Sequence, residues 1–334
     1  MEDAVVSGNA QSFFQFGVKS GSGISGVAFT QSEGYSTTYT ETTSGPATSV
    51  TVGVTRDSSM VREVFQPLML SGEPELFVRF GADFGGVVVA TPWQSHVITD
   101  LVLVPHGIGS SDGYRIKLET ADVVFKLARE VKTAARSGTI GDIVKRISDE
   151  NKLQDPLIEP TSGRFSLIQS YQTDDDFIRS RLVTRSLSKS GKSGYKLFAR
   201  DGRLRFHTRN YSSSTFSLDY FASSSVDITQ VDSSQRRFRL GSAVKLVSID
   251  PVTGSIREFY SDPSSVVGYG NSFPERSGVY NSIAYHGSGN LDGNHITQCA
   301  YDEARSELYE VEVVIPNCVK VRCGDAVLLT VSQS

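Results

Sequence analysis

The chain has 334 residues, 38% of them hydrophobic and 21% charged, with a net charge of −4. Its length provides for about two domains with cores of their own, and its balance excludes both a disordered chain and a strongly basic nucleic-acid binder. The longest apolar runs, Val87 to Ala90 and Leu101 to Val104, fall far short of the roughly 20 residues that span a bilayer, so no membrane insertion is expected. Met1-Glu2-Asp3 opens without the basic and apolar regions of a secretory signal, which places the chain's synthesis in a cytoplasm. Three cysteines, Cys299, Cys318 and Cys323, cannot all pair within the chain and lack companion zinc ligands, so they read as free thiols in a reducing compartment.

From Gln11 to Ser59 the chain is rich in Ser, Thr and Gly, with Phe13, Phe14 and Phe16 as apolar anchors. That composition fits strands and loops or a segment ordered by partners, and residues 1–59 are set apart on this ground. Short β patterns follow: Leu76, Val78 and Phe80 alternate with Phe77 and Arg79, and Ile116 and Leu118 with Arg115, Lys117 and Glu119. Between them, Val87 to Ala90 and Val97 to Val104 read as strands buried on both faces. Residues 60–120 are thus assigned to a first β-barrel, which takes in part of 1–59 if that segment is strand.

The period then changes. Val124, Leu127, Ala128, Val131 and Ala135 recur at helical spacing, which predicts an amphipathic helix. A second helix has Thr139 as cap, Asp142 three residues on, and a stripe of Ile140, Ile143, Val144 and Ile147. A third begins at Thr173, where Asp174, Asp175 and Asp176 meet the positive end of the helix dipole and Phe177, Ile178 and Leu182 supply its buried face. Gly191 and Gly194 are expected to end it. Tyr195 to Arg200 and Arg203 to His207 then flank Asp201-Gly202, a hairpin turn signal, with Leu204 and Phe206 on the inward side. Residues 121–208 therefore read as a helical insertion closed by a hairpin.

Beyond it, residues 209–334 return to β. Phe238 and Leu240 alternate with arginines, Val244 to Ile249 meets Ser255 to Tyr260 in a hairpin, Leu308 to Ile315 is a long strand, and Ala326 to Val331 closes the chain after Gly324-Asp325. The fold class is α+β, mainly β: two β units around an inserted helical layer.

Chemical motifs are sparse. Gly21-Ser22-Gly23-Ile24-Ser25-Gly26 has dinucleotide-site spacing but lacks the strand and helix such a site needs, so a turn explains it better. The three aspartates lack the alternating ligands of a calcium loop, and the five histidines, His96, His106, His207, His286 and His295, fall in no nucleophile or metal pattern. Arg200, Arg203, Arg205, His207 and Arg209 line one strand face opposite Leu204 and Phe206, which favours a solvated or subunit-contacting face over nucleic-acid binding. Asn210-Tyr211-Ser212 matches a glycosylation acceptor only incidentally. No catalytic residue, metal or cofactor is assigned.

Three segments taken together, SGTIGDIVKRISDENKL at Ser137 to Leu153, QSYQTDDDFIRSRL at Gln169 to Leu182 and GYKLFARDGRLRFHT at Gly194 to Thr208, resemble the baseplate hub family of contractile phage tails and, more widely, the hub portion of type VI secretion spike proteins. Ile143, Thr173, Asp176, Phe177, Ile178, Leu182, Gly202, Leu204 and Phe206 carry the motifs, and Gly324 and Asp325 resemble the turn before the hub's last strand. The resemblance implies two tube-like β-barrel domains per subunit and a homotrimer forming a pseudo-sixfold ring, without catalysis, in the virion tail baseplate. It also implies partners: a tail tube protein, a central spike protein, tape-measure and baseplate wedge proteins, and genomic DNA passing through the lumen unbound. The alternative is a tail-associated carbohydrate-binding or cell-wall-degrading protein, which turnover of polysaccharide or peptidoglycan would reveal.

Overall fold

The structure is a computed structural model. It describes residues 11–20, 23–30, 35–43, 45–55, 63, 65, 75–106, 113–189 and 194–208, then the segments 216–219, 230–235, 243–249, 256–260, 279–285, 309–314, 322–325 and 327–330.

The Ser/Thr-rich beginning of the chain is strand. β1 (Gln11–Ser20), β2 (Gly23–Thr30), β3 (Ser36–Thr40) and β4 (Thr48–Thr55) join β5 (Glu75–Asp83), β6 (Val88–Ala90), β7 (Gln94–His106) and β8 (Gly113–Asp122) in one sheet. Its order is β2-β1-β5-β7-β8-β4-β3 with β6 paired to β5, and β2 and β3 approach each other so that the sheet is a nearly closed barrel. Alternation decides which side chains fill it. Phe14, Phe16, Tyr35, Phe65, Leu76, Val78, Ile116 and Leu118 form the core, with Phe80, Ile98, Leu101 and Leu103 against it. Ser49 and Thr51 are also buried, their hydroxyls paired with Thr120 at 2.6 Å and Thr37 at 2.8 Å, which is how a polar segment becomes an inner strand face. Of the glycine-rich motif, Gly23 to Gly26 lie in β2, antiparallel to β1 with Gly23 opposite Ser20, while Gly21 and Ser22 lie outside the described residues. That is a hairpin context and not the strand-to-helix turn of a nucleotide site.

Two expectations for this region need correction. The valine runs are not buried on both faces: Val87, Val88, Val102 and Val104 are exposed, because the barrel buries only its inner side. The helix expected over 124–135 is a 3-10 turn (Val123–Ala128) followed by a strand, β9 (Val131–Gly138). Val124 and Leu127 are buried as their spacing demands, but Val131 and Ala135 are exposed. Pairing with β11 (Phe165–Thr173) overrides the helical period. As a strand, the segment puts Lys132 and Arg136 on one face, where each meets a buried partner.

The insertion is built on local signals. Thr139 caps α1 (Ile140–Glu150) in a capping box, with Asp142 N–H donating to Thr139 Oγ1 at 3.1 Å and Thr139 N–H donating to Asp142 Oδ2 at 3.4 Å. After β10 (Leu157–Ile158) and β11, Thr173 caps α2, an α turn (Asp174–Phe177) continuing as a π turn (Ile178–Leu182) and a 3-10 turn (Val183–Arg185). The helix stops there because Ser186 is extended, earlier than Gly191, which lies outside the described residues; Gly194 instead leads into β12 (Tyr195–Arg200). β12 pairs with β13 (Arg203–Thr208) across Asp201 at φ +56° and Gly202 at φ +71°, the left-handed pair that a two-residue hairpin turn requires. α1, α2, the 3-10 turn and the hairpin close over one core that includes Ile143, Ile147, Phe177, Ile178, Leu182, Leu204 and Phe206.

The later strands form three small sheets among the described residues. β14 (Phe216–Asp219) is parallel to β20 (Val327–Thr330), β15 (Gln230–Gln235) antiparallel to β19 (Tyr309–Val314), and β16 (Ala243–Ile249) lies between β17 (Ile256–Tyr260) and β18 (Val279–Tyr285). The 243–260 hairpin and the two terminal strands are as expected, and the parallel β18 was not. The alternation at Phe238 and Leu240, and Arg209, Asn210, Cys299, Cys318, His286 and His295, lie outside the described residues.

The two kinds of residue in the insertion separate by size of effect. Thr139→Ala removes one cap acceptor and is expected to cost about 1 kcal/mol, whereas Ile143→Ala opens a cavity in the fully buried core and is expected to cost about 2–5 kcal/mol. Urea denaturation of the two variants checks the order.

Candidate functional site

The residues that carry the family motifs converge. Ile143, Phe177, Ile178, Leu182, Leu204 and Phe206 are all fully buried in the insertion core, and Thr173 caps α2 by accepting from Asp176 N–H at 3.1 Å, while the Asp176 side chain stays exposed. Gly202 lies on the barrel: a Cβ there would stand 3.3 Å from the Ser95 nitrogen of β7. Gly324, at φ +87°, lies against Phe198, and a Cβ would come within 2.5 Å of that ring. The last turn of the chain therefore covers the outer face of the hairpin. This corrects the solvated reading of that face: Arg203 is half exposed, but Arg200 and Arg205 are largely covered and Phe198 is buried.

Covering this face creates an ionic junction. Arg322 is buried, and its Nε donates to both carboxylate oxygens of Glu41 at 3.0 and 3.1 Å, Nη2 donates to the same group, and Nη1 reaches Asp201 at 3.1 Å. Glu41 also accepts from Cys323 N–H at 3.0 Å. Asp325 accepts from Arg200 and from Arg322 N–H. The planar guanidinium suits this role because its fork can hold a carboxylate with two bonds and still spare a donor for a second acid. Burial works against the charged form of Arg322, but the bonds and charge of Glu41 win and hold its pKa above the ordinary value. The Cys323 thiol beside it is pushed up to about 12, by burial first and then by Glu41, so it is an inert thiol.

The same β3–β4 loop makes two further contacts. Thr43 carbonyl accepts from Arg179 of α2 at 3.0 Å, and Ala47 N–H donates to Asp122 at 2.7 Å. Asp122 also accepts from Val124 N–H at 2.8 Å, so it caps the 3-10 turn at the point where the barrel passes into the insertion. Burial, reinforced by Glu41, raises its pKa to about 7. Both of its oxygens are committed to backbone donors, which accounts for it structurally. Across the strand pair from it stands His96, fully buried, with Nδ1 2.9 Å from Thr120 Oγ1, and burial pushes its imidazole down to about 3.

A second buried network ties α1, α2, β9 and β11 together. Asp174 accepts from Lys132 at 2.5 Å, Asn151 at 2.8 Å and Gln169 at 2.9 Å, while Arg136 bonds Gln169 and Glu150. Burial pulls the Asp174 pKa up, but these donors outweigh it and the group lies below its ordinary value. Of the three aspartates, the dipole reading suits Asp176. Asp174 is the centre of the network and Asp175 pairs with Arg179 at 2.9 Å. The sequence gives no signal for Glu41, Arg322 or Asp122, whose partners are far away along the chain. Among the described residues no cluster of three or more His, Cys, Asp or Glu is placed to hold a metal, and no helix is long and apolar enough to cross a membrane.

The fold has known counterparts. The tail protein from Neisseria meningitidis MC58 superposes with a TM-score of 0.56 at 13% identity over 95% of this chain and 86% of that one. The prophage tail protein gp18 from Listeria monocytogenes EGD-e gives 0.49 at 12% identity, covering 95% and 84%, and the 43 kDa tail protein of prophage MuSo2 from Shewanella oneidensis gives 0.48 at 11%, covering 91% and 81%. No protein-family model and no curated protein matches the chain. At this identity the likeness is one of fold: the chain has a tail-protein fold, in agreement with the resemblance carried by Ser137 to Thr208.

Two measurements follow from the junction. Arg322→Met removes the guanidinium from the largely covered Glu41 carboxylate, leaving it the Cys323 N–H and the Tyr39 hydroxyl, and is expected to cost about 3–5 kcal/mol in urea denaturation, with Glu41→Gln in the same chain recovering part of the loss. The pH dependence has two opposed parts. His96, held below its ordinary value, contributes stability that is full above about pH 6.5 and is lost as pH falls toward 3. Asp122, held above its ordinary value, contributes most at low pH and loses that contribution as pH rises through about 7. His96→Gln, which keeps a neutral donor toward Thr120, is expected to show a smaller fall in Tm than the wild type between pH 6.5 and pH 4.

Proposed function

We propose that this protein is a structural hub subunit of a contractile phage tail, forming a homotrimeric ring that joins the hexameric tail tube to the trimeric central spike and leaves a channel for the genome. The observation that carries the reading is the tail-protein fold extending over 95% of the chain. The convergence of the three motif segments in one core supports it. In this reading residues 60–120, together with part of 1–59, form the first tube-like barrel, residues 121–208 the insertion, and residues 209–334 a second tube-like barrel, so that each chain supplies two positions of a pseudo-sixfold ring. Tape-measure and wedge proteins meet the same assembly, which is built in the host cytoplasm and resides in the virion baseplate.

The role is architectural and non-catalytic. The covered acids among the described residues act as structural acceptors: Asp122 holds two backbone N–H groups, Asp174 four side chains, and Glu41 an arginine fork. A channel for DNA requires a lumen that does not retain phosphate, so its lining is neutral or negative, and the −4 charge of the chain accommodates this.

Light scattering of the purified protein is expected to give the mass of a trimer, and pull-down with the tube and spike proteins of the same tail is expected to recover both. A monomer at micromolar concentration that binds neither would overturn the reading. An assembled ring lined mainly by Arg and Lys would overturn the channel argument.

A further inference from the structure

Polar side chains enter the barrel core beneath the seat of the insertion hairpin. Gly202 lies against the backbone of Gln94 and Ser95 in β7, and Gln94 and His96, 2% and 0% exposed, point inward from the same strand. A run of hydrogen bonds reaches Gln94 from the ionic junction. Glu41, held by Arg322, accepts from the Tyr39 hydroxyl at 3.3 Å, and that hydroxyl also donates to Gln94 Oε1 at 3.1 Å. Burial, reinforced by Glu41, holds the Tyr39 pKa well above its ordinary value, so the hydroxyl keeps the proton it donates. A second run reaches His96 from β4 and β8, with Ser49 Oγ 2.6 Å from Thr120 Oγ1 and Thr120 Oγ1 2.9 Å from His96 Nδ1.

The first run ends at Gln94 Nε2 and the second at His96 Nε2. Both nitrogens are buried and neither has a hydrogen-bond partner in the protein. A buried polar atom left unpaired has lost the water it held in the unfolded chain and gained nothing in return. His96 does not escape by taking a charge, because burial keeps the imidazole neutral. A neutral imidazole has one donor and one acceptor nitrogen, and an amide nitrogen donates only.

The two side chains are also neighbours. They stand two residues apart on one strand face, about 7 Å between their Cβ atoms. Both meet Tyr39, whose ring centroid is 6.1 Å from that of His96 and whose hydroxyl bonds Gln94. A single water bridges polar atoms about 4.5–5.5 Å apart, a separation within reach of two side chains so placed. Buried water is held by two to four polar partners, and this pair supplies two.

We infer that Gln94 and His96 form a buried water site, in which one ordered water accepts from Gln94 Nε2 and donates to His96 Nε2. The arrangement that uses every group in turn puts the imidazole proton on Nδ1, donating to Thr120 Oγ1, whose own proton goes to Ser49. The water then joins the two runs into one, from Arg322 through Glu41, Tyr39, Gln94 and His96 to the inner face of β4, and fixes β7 beneath the turn at Gly202. The site belongs to the single chain and stands apart from the assembly proposed above.

Two readouts on the full chain test it. A crystal structure that shows ordered waters is expected to place one within about 3 Å of both nitrogens. A dry core, or Gln94 Oε1 in direct contact with His96 Nε2, would overturn the site. Nitrogen-15 NMR of histidine-labelled protein, with the His96 signals identified by their loss in His96→Gln, is expected to show the ring proton on Nδ1. In Gln94→Leu the Nε2 resonance is expected to move downfield as its hydrogen bond is lost. A ring protonated on Nε2, or an Nε2 resonance unchanged in Gln94→Leu, would overturn the inference. Thermal melts report whether Gln94→Leu folds; where it does not, the crystal water and the wild-type tautomer decide.

Discussion

Among the described residues, the barrel, the insertion hairpin and the turn at 322–325 meet at one buried guanidinium. Arg322 meets a barrel loop through Glu41 and the insertion hairpin through Asp201, and its own turn is tied to the same hairpin by Asp325 and Arg200. Removing charges from water is costly, and apolar packing would hold the three pieces together at least as strongly. What apolar packing would not supply is direction. A fork that satisfies one carboxylate with two bonds fixes angle as well as distance, and Gly202 on β7 and Gly324 on Phe198 let the backbones approach closely enough for it to form.

The β3–β4 loop distributes this constraint. Glu41, Thr43 and Ala47 lie within seven residues and engage the C-terminal turn, α2 and the start of the insertion in turn. A shift of that loop would have to break contacts to all three, so the barrel and the insertion hold one mutual orientation. In the proposed ring this would matter, because an angular error in one copy is repeated in every other and the ring fails to close. Glu41 and Arg322 are separated by 281 positions, so their junction is a non-local contact whose chain-closure entropy is met only once both ends have folded.

What the sequence makes legible follows from range. The caps at Thr139 and Thr173 and the turn at Asp201-Gly202 are bonds or dihedrals within four residues, and they stand where their motifs place them. The inward set Ile143, Phe177, Ile178, Leu182, Leu204 and Phe206 is legible for the same reason, since period and burial agree along each element. β9 is misread because Val124, Leu127, Val131 and Ala135 satisfy a helical period, and only the pairing with β11 and the acceptors awaiting Lys132 and Arg136 reveal a strand. The Ser/Thr-rich strands are obscure because hydroxyls bonded to one another fill places where periodicity looks for apolar residues. Asp174 is read as a dipole partner because its neighbours Asp175 and Asp176 are local, whereas Lys132 and Gln169 reach it from other strands.

The two faces of the β9–β11 ribbon differ in how they treat charge. On the inner face Arg136, Gln169 and Lys132 are tied through Asp174 in one hydrogen-bonded network. The outer face carries no charged side chain, while inward-pointing Lys132 and Arg136 and the bulge between Gln169 and Gln172 are devices by which proteins keep open strands from pairing. Charge on this ribbon therefore serves the chain's own shape, since each inner cation is bonded to an acid or amide of the same chain.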